Sequence, residues 1–131
     1  MATESRPLSP HLQIYRLPLT VVLSISHRIT GVLLGFGAFV FVLLVAAAAA
    51  GPDAYAGVHG HVAAWYGQLL SFAFTFALFF HFCNGIRHLA WDMGYGFDYA
   101  TTHYTAMIAL GAAAGLTLLL WIVVIATRWG A

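Results

Sequence analysis

Apolar residues fill three long blocks of the chain, separated by two short stretches where glycine and polar residues gather. The blocks cover about residues 22–50, 62–91 and 103–129, the first opening near Val21 or, on a stricter reading, near His27. Each is long enough, at 1.5 Å per residue, to cross roughly 30 Å of hydrocarbon as a helix. Gly51-Pro52-Asp53 ends the first block with turn chemistry, and DMGYGFD separates the second from the third. No alternation of period two runs through any block, which argues against a β-barrel. The pattern predicts an all-α integral membrane protein with three transmembrane helices in a single domain over residues 1–131.

Composition points the same way. Hydrophobic residues make up 62% of the 131-residue chain and charged residues 7%, against roughly a quarter charged in soluble domains. A chain this short cannot hide that much apolar surface in a core of its own, so the surface faces lipid. With a net charge of +1 and no lysine, the chain has no basic patch for nucleic acid. Its one cysteine, Cys83, cannot form an internal disulfide. Arg6, Arg16 and three prolines fall in the first twenty residues without the apolar run of a secretory signal. The absence of a transit peptide favours a bacterial inner membrane over a mitochondrial one.

Arginine placement predicts orientation. Arg6, Arg16 and Arg28 lie at or before the start of the first helix, Arg87 lies near the end of the second, and residues 51–61 carry neither Arg nor Lys. The N-terminus is therefore expected on the cytoplasmic (or matrix) side, with Arg128 the single dissenting charge. Gly31 and Gly35, and Gly111 and Gly115, have the four-residue spacing that lets helices approach closely in lipid. They read first as packing faces, and second as room for a flat cofactor.

The second block carries the costly residues. At helical spacing His81, Asn84, Gly85, His88 and Asp92 fall along one stripe. With Asp92 at the membrane edge, His81 lies eleven residues deeper, about 16 Å at helical rise and near the midplane. A histidine there is either hydrogen-bonded to a neighbouring helix or an axial haem ligand, with Gly85 one turn away relieving crowding. A bis-histidine haem b needs a second imidazole at the same depth. His59 and His61 belong to the opposite side, and His27, His88 and His103 are expected nearer the cytoplasmic surface. The second ligand is thus expected from another subunit.

In the first block, Ser24, His27, Arg28 and Gly31 share a face. Arg28 alone suits an interfacial arginine that snorkels and fixes topology. Together, a hydroxyl, an imidazole and a guanidinium suit a quinone head group, whose carbonyl needs a donor as electrons and protons arrive. Haem propionates equally want an arginine or histidine, and Arg87 and His88 reach the same side.

The stretches RPLSPHLQIYRLPLTVVLSISHRITG and HFCNGIRHLAWD, with their motifs S-x-x-H-R and H-x-x-x-G-I-R-H-x-x-x-D, closely resemble the cytochrome b membrane-anchor family of succinate dehydrogenase, respiratory complex II. The similarity covers the N-terminal segment and the first two helices, while the third matches in hydropathy and length only. The resemblance implies a four-subunit complex. In it a flavoprotein with FAD oxidises succinate, an iron–sulfur protein carries electrons, and two small membrane subunits share haem b and bind ubiquinone. Carried over by motif, His81 is the haem-iron ligand, Ser24 and Arg28 fall at the quinone site, and His27, Arg28 and His88 meet haem propionates. This chain then forms half of a haem-binding helical bundle in the electron-transport step of the tricarboxylic acid cycle. It has no FAD fingerprint and no iron–sulfur cysteine run, so it cannot oxidise succinate alone. The competing readings are a quinol:fumarate reductase anchor and a purely structural anchor without haem. A transporter is weaker, since one ionisable mid-membrane residue makes a thin pathway.

Overall fold

The computed structural model describes residues 16–129. Its four helices are α1 (Leu19–Ala50), α2 (Pro52–Ala63), α3 (Trp65–Asp92) and α4 (Tyr99–Trp129), and no strand occurs among the described residues. α1, α3 and α4 are each long and apolar enough to cross a membrane. At 32, 28 and 31 residues they span about 42–48 Å at 1.5 Å per residue, more than the hydrocarbon needs. Their ends therefore reach into the head-group region, or the helices tilt.

The boundaries differ from those expected. α1 begins at Leu19, because the Pro18 carbonyl already accepts the backbone N–H groups of Val21 and Val22 at 3.0 and 3.2 Å. The stretch 51–61, expected as loop, and the expected start of the second crossing at Val62 fall largely within α2 instead. The Gly51-Pro52-Asp53 turn that stops α1 also starts a helix: proline at the first helical position has no N–H to waste, and Asp53 lies in the first turn. Extended Ala64 (φ −63°, ψ 157°) then breaks the path, so the second crossing begins at Trp65 rather than Val62. α4 begins at Tyr99, not His103, since the Asp98 carboxylate accepts the Thr101 backbone N–H at 2.8 Å and caps the helix.

α3 is the central helix, packed along both α4 and α1, with a shorter contact between α1 and α4. A small core joins Leu23 of α1, Phe80 of α3 and Ala106 and Ala113 of α4. The close approach of α4 uses Ala106, Ala109, Ala113 and Thr117, all buried, at spacings of three and four. Gly111 and Gly115 meet no other helix of the described chain: they face outward, with nothing within 4 Å of where a Cβ would stand, and the same holds for Gly35. Two turns of helix can carry small residues on more than one face, and here alanine made the seam. On α1 the tight positions are Gly37, where a Cβ would run into the Phe74 ring, and Gly31, discussed below.

Arg87 ties α3 to α4. Its side chain is 6% exposed, donating from Nη2 to the Thr102 carbonyl at 2.9 Å and from Nε to the Thr105 hydroxyl at 3.1 Å. It also makes a long 3.5 Å contact to Asn84 Oδ1 and lies 4.2 Å from the Trp91 ring centroid. Asn84 itself is fully buried and donates to the Phe80 carbonyl at 3.2 Å. No carboxylate is among these partners, so the charge is accommodated by carbonyl and hydroxyl oxygens and an aromatic face. The turn after α3 is held to the same seam: the Gly96 carbonyl accepts Trp91 Nε1–H at 3.2 Å, and the Thr102 hydroxyl donates to the Asp98 carbonyl at 2.6 Å, with the Gly96 carbonyl a longer acceptor at 3.2 Å.

Two outcomes follow from these contacts. Thr105→Val keeps the shape but leaves the Arg87 Nε–H without its acceptor, and should cost about 1–2 kcal/mol, read as easier unfolding of the detergent-solubilised protein in SDS titration. The Asp98 carboxyl is held below its ordinary pKa by the Thr101 hydroxyl and backbone N–H. Its cap therefore stabilises α4 at and above the usual carboxylate range and is lost as pH falls through the lowered value. The protection factor of the Thr101 amide, its exchange normalised to the intrinsic rate at each pH, should fall on acidification in the native chain and should be low at every pH in Asp98→Ala.

Candidate functional site

The polar stripe of α3 divides between two helices. Arg87 and Asn84 turn to the α4 side, while His81 and His88 meet His27 of α1. The His27 and His81 rings stack at 3.9 Å between centroids and 11° between planes, and His88 meets His27 edge-on at 4.8 Å. His88 also stacks on Trp91 at 5.0 Å. The three imidazoles thus form one ladder between α1 and α3. This corrects the expected depth of His27: with α1 starting at Leu19, two turns of helix precede it, and antiparallel packing brings it level with His81. His103, on α4, has no part in the ladder.

His81 is the most constrained of the three. Its Nδ1 lies 3.0 Å from the His27 backbone carbonyl and 3.3 Å from Thr30 Oγ1. A carbonyl only accepts, so Nδ1 carries the proton and Nε2 keeps its lone pair free. That is the tautomer of a metal-ligating histidine, whose remote N–H is oriented by a carbonyl or carboxylate. Gly31 lies directly beneath the ring, and a Cβ there would stand 3.0 Å from His81 Cε1.

His27 and His88 differ in kind. In each, Nδ1 is buried without a hydrogen-bond partner among the described residues. An orphaned buried N–H is the costlier choice, so their protons belong on Nε2, which makes each a donor through that nitrogen. The ladder therefore offers one lone pair and two N–H groups. Three imidazoles packed face to face and edge to face do not converge on a common point, and no cluster of three metal-ligating side chains occurs among the described residues. The parallel pair is also too close for a macrocycle between its rings.

Ser24 and Arg28 stand on the adjoining flank of α1. Ser24 is half-buried and Arg28 is exposed, and neither has a hydrogen bond to the rest of the described chain. Helical geometry puts Thr30 on the opposite flank of His27 from Arg28. Thr30 is not on the face shared by Ser24, His27, Arg28 and Gly31 in the sequence pattern, and its hydroxyl three residues after His27 is the one sequence signal for it. Arg6 and the N-terminal part of the resemblance lie outside the described residues.

The helix α2 adds a second polar cluster at the far end of the bundle. Here His61 Nδ1 and the Tyr66 hydroxyl are 2.7 Å apart, His59 lies 5.4 Å from Tyr55, and the exposed Trp65 ring lies 5.9 Å from Tyr66. Each imidazole has one phenol neighbour, which is the amphipathic aromatic arrangement of a membrane–water interface.

Comparison with known proteins agrees with these features. Residues 2–126 match the family model described as succinate dehydrogenase/fumarate reductase transmembrane subunit. The succinate dehydrogenase cytochrome b556 subunit of Paracoccus denitrificans is 38% identical over 119 residues, covering 91% of this chain and 92% of its own length. That of Rickettsia felis is 36% identical, with 89% and 91% covered. The cytochrome b560 subunit of Reclinomonas americana is 38% identical, with 91% and 86% covered. A match over nearly the whole chain and three helices fit to span a membrane lead to one conclusion: the chain belongs to the succinate dehydrogenase/fumarate reductase transmembrane subunit family.

Proposed function

We propose that this chain is the haem b- and quinone-binding anchor of a succinate:ubiquinone oxidoreductase. It would hold the flavoprotein and iron–sulfur subunits at the membrane and help deliver their electrons to ubiquinone. The observation that carries the haem reading is His81: its Nδ1–H is tied to a backbone carbonyl of α1, and its Nε2 has no hydrogen-bond partner among the described residues. The names of the relatives, cytochrome b556 and b560, support a b-type haem.

His81 would hold the iron through Nε2. His27 and His88, as Nε2–H donors beside it, suit propionate carboxylates, and exposed Arg28 can serve them from the flank. Gly85, one turn from His81 and with nothing within 4 Å of where a Cβ would stand, leaves the helix surface flat beside the ring. A second imidazole would be supplied by the second small anchor subunit, since His27 is stacked on the His81 ring at 3.9 Å and leaves no room for a macrocycle between them. Bound haem supplies a one-electron site in the membrane, and FAD and the iron–sulfur clusters belong to the partner subunits.

Ser24 and Arg28 would bind the quinone head group. The Arg28 guanidinium, a permanent charge with no acceptor elsewhere in the described chain, suits a carbonyl oxygen that gains negative charge as electrons arrive. The Ser24 hydroxyl, one turn away, orients the same oxygen, and the partner subunits complete the site. Arg16 and Arg28 at one end, with a second helix end bearing Arg87, favour that end facing the cytoplasm. The Paracoccus and Rickettsia relatives favour a bacterial inner membrane.

The haem reading is tested by the reduced-minus-oxidised spectrum of the purified complex. A bis-histidine b-type signal is expected and should vanish in His81→Ala, and an unchanged spectrum there would remove His81 as ligand. Complete absence of haem from the native complex would leave a structural anchor. Arg28→Ala should lower succinate:quinone activity by about two orders of magnitude, the scale of losing a charged donor to a developing oxyanion. Succinate oxidation with an artificial acceptor should survive, whereas equal loss of both activities would mean failed assembly and not a damaged quinone site.

A further inference from the structure

The His81 ring is held by α1 on several sides at once, and the groups that hold it are mostly not those expected to meet a ligand. Below the ring is Gly31, whose missing side chain is what allows the approach: a Cβ would stand 3.0 Å from Cε1, 3.6 Å from Nδ1 and 3.9 Å from Nε2. At the Nδ1 edge are the His27 carbonyl at 3.0 Å and Thr30 Oγ1 at 3.3 Å. The single Thr30 hydroxyl proton goes back to its own helix, where the Ser26 and His27 carbonyls both lie 2.9 Å away. Towards His81, Thr30 can then only accept, and the Nδ1–H is shared between two oxygens.

We propose that Thr30 and Gly31 are positioning residues that set the ring orientation and the donor strength of His81 as a haem ligand. This rests on the haem reading above and extends it to two residues that touch neither iron nor quinone. Acceptors at Nδ1 draw the proton away from the ring and make Nε2 more basic. A more basic axial ligand favours ferric over ferrous iron, so the hydrogen-bonded state has the lower midpoint potential. The His27 carbonyl is fixed by the helix whatever side chain residue 27 carries. Thr30 is therefore the acceptor that sequence can tune, and Gly31 sets how close the ring comes to both.

The chain supplies its own control. Gly35 lies one turn beyond Gly31 on the same helix, but nothing stands within 4 Å of where its Cβ would be. Gly31→Ala and Gly35→Ala make the same chemical change in the same helix, and only the first meets the imidazole.

The test uses the assembled complex in detergent, with redox titration of the haem and the low-spin ferric EPR signal, whose g-values follow the planes of the axial imidazoles. Thr30→Val should raise the midpoint, and Thr30→Ser, which restores the acceptor, should return it to the native value. Gly31→Ala should raise the midpoint and shift the g-values, while Gly35→Ala should change neither. Native midpoint and g-values in both Thr30→Val and Gly31→Ala would overturn the proposal, as would equal shifts in Gly31→Ala and Gly35→Ala. If Gly31→Ala does not assemble, the Thr30 pair decides alone. His81→Ala separates the two levels: haem retained there overturns the ligand assignment beneath, whereas haem lost there with unresponsive Thr30 and Gly31 variants overturns only this extension.

Discussion

Hydrocarbon offers no hydrogen bonds, so each polar side chain that α3 carries into the membrane must be met by another helix or by its own backbone. α3 carries such groups in two directions. Arg87 is met by a hydroxyl and a carbonyl oxygen of α4, and Asn84 by the Phe80 carbonyl of its own helix. His81 is met by the backbone and a hydroxyl of α1. The bundle is organised around this division, because a helix with partners required on both sides has to stand between them. The apolar contacts are modest by comparison, and most large hydrophobic side chains remain exposed to the surroundings.

The two polar seams differ in what they leave over. Around Arg87 three donor contacts and an aromatic face use most of what a guanidinium can offer, so this group is occupied in holding helices together. Around His81 the hydrogen bonds go to one ring nitrogen, and the other keeps its lone pair. A group satisfied on one side and free on the other is oriented without being consumed, and that is what a ligand to a shared metal requires. Arg28, on the flank of the same ladder, is free altogether among the described residues. The chain thus uses some polar groups to hold its own helices together and leaves others without a partner among the described residues.

Gly31 and Thr30 give α1 a part in orienting the His81 ring of α3. A histidine near the middle of a membrane helix could sit in many rotamers. Here the choice is made by a missing methyl group, a helix carbonyl and a hydroxyl four residues or fewer apart on the neighbouring helix. The same packing that brings α1 close enough to touch the ring also brings His27 over it, so closeness of helices and orientation of the imidazole are one feature.

Sequence alone determined the all-α membrane architecture, because an apolar run longer than the bilayer is thick has one low-cost solution, and local composition suffices to read it. It also placed His81 eleven residues inside the end of α3, since distance along a helix is a count of residues, and the motifs around Ser24, Arg28 and His81 carried the family. The helix α2 stayed hidden because Gly-Pro-Asp signals a stop and a start alike. The level of His27 relative to His81, the burial of Asn84 and Arg87 against α4, the outward aim of Gly111 and Gly115, and the clamp of Thr30 and Gly31 were decided only by tertiary structure. Each depends on how one helix is shifted and rotated against another, and periodicity within a single helix says which residues share a face but not which neighbour that face will meet.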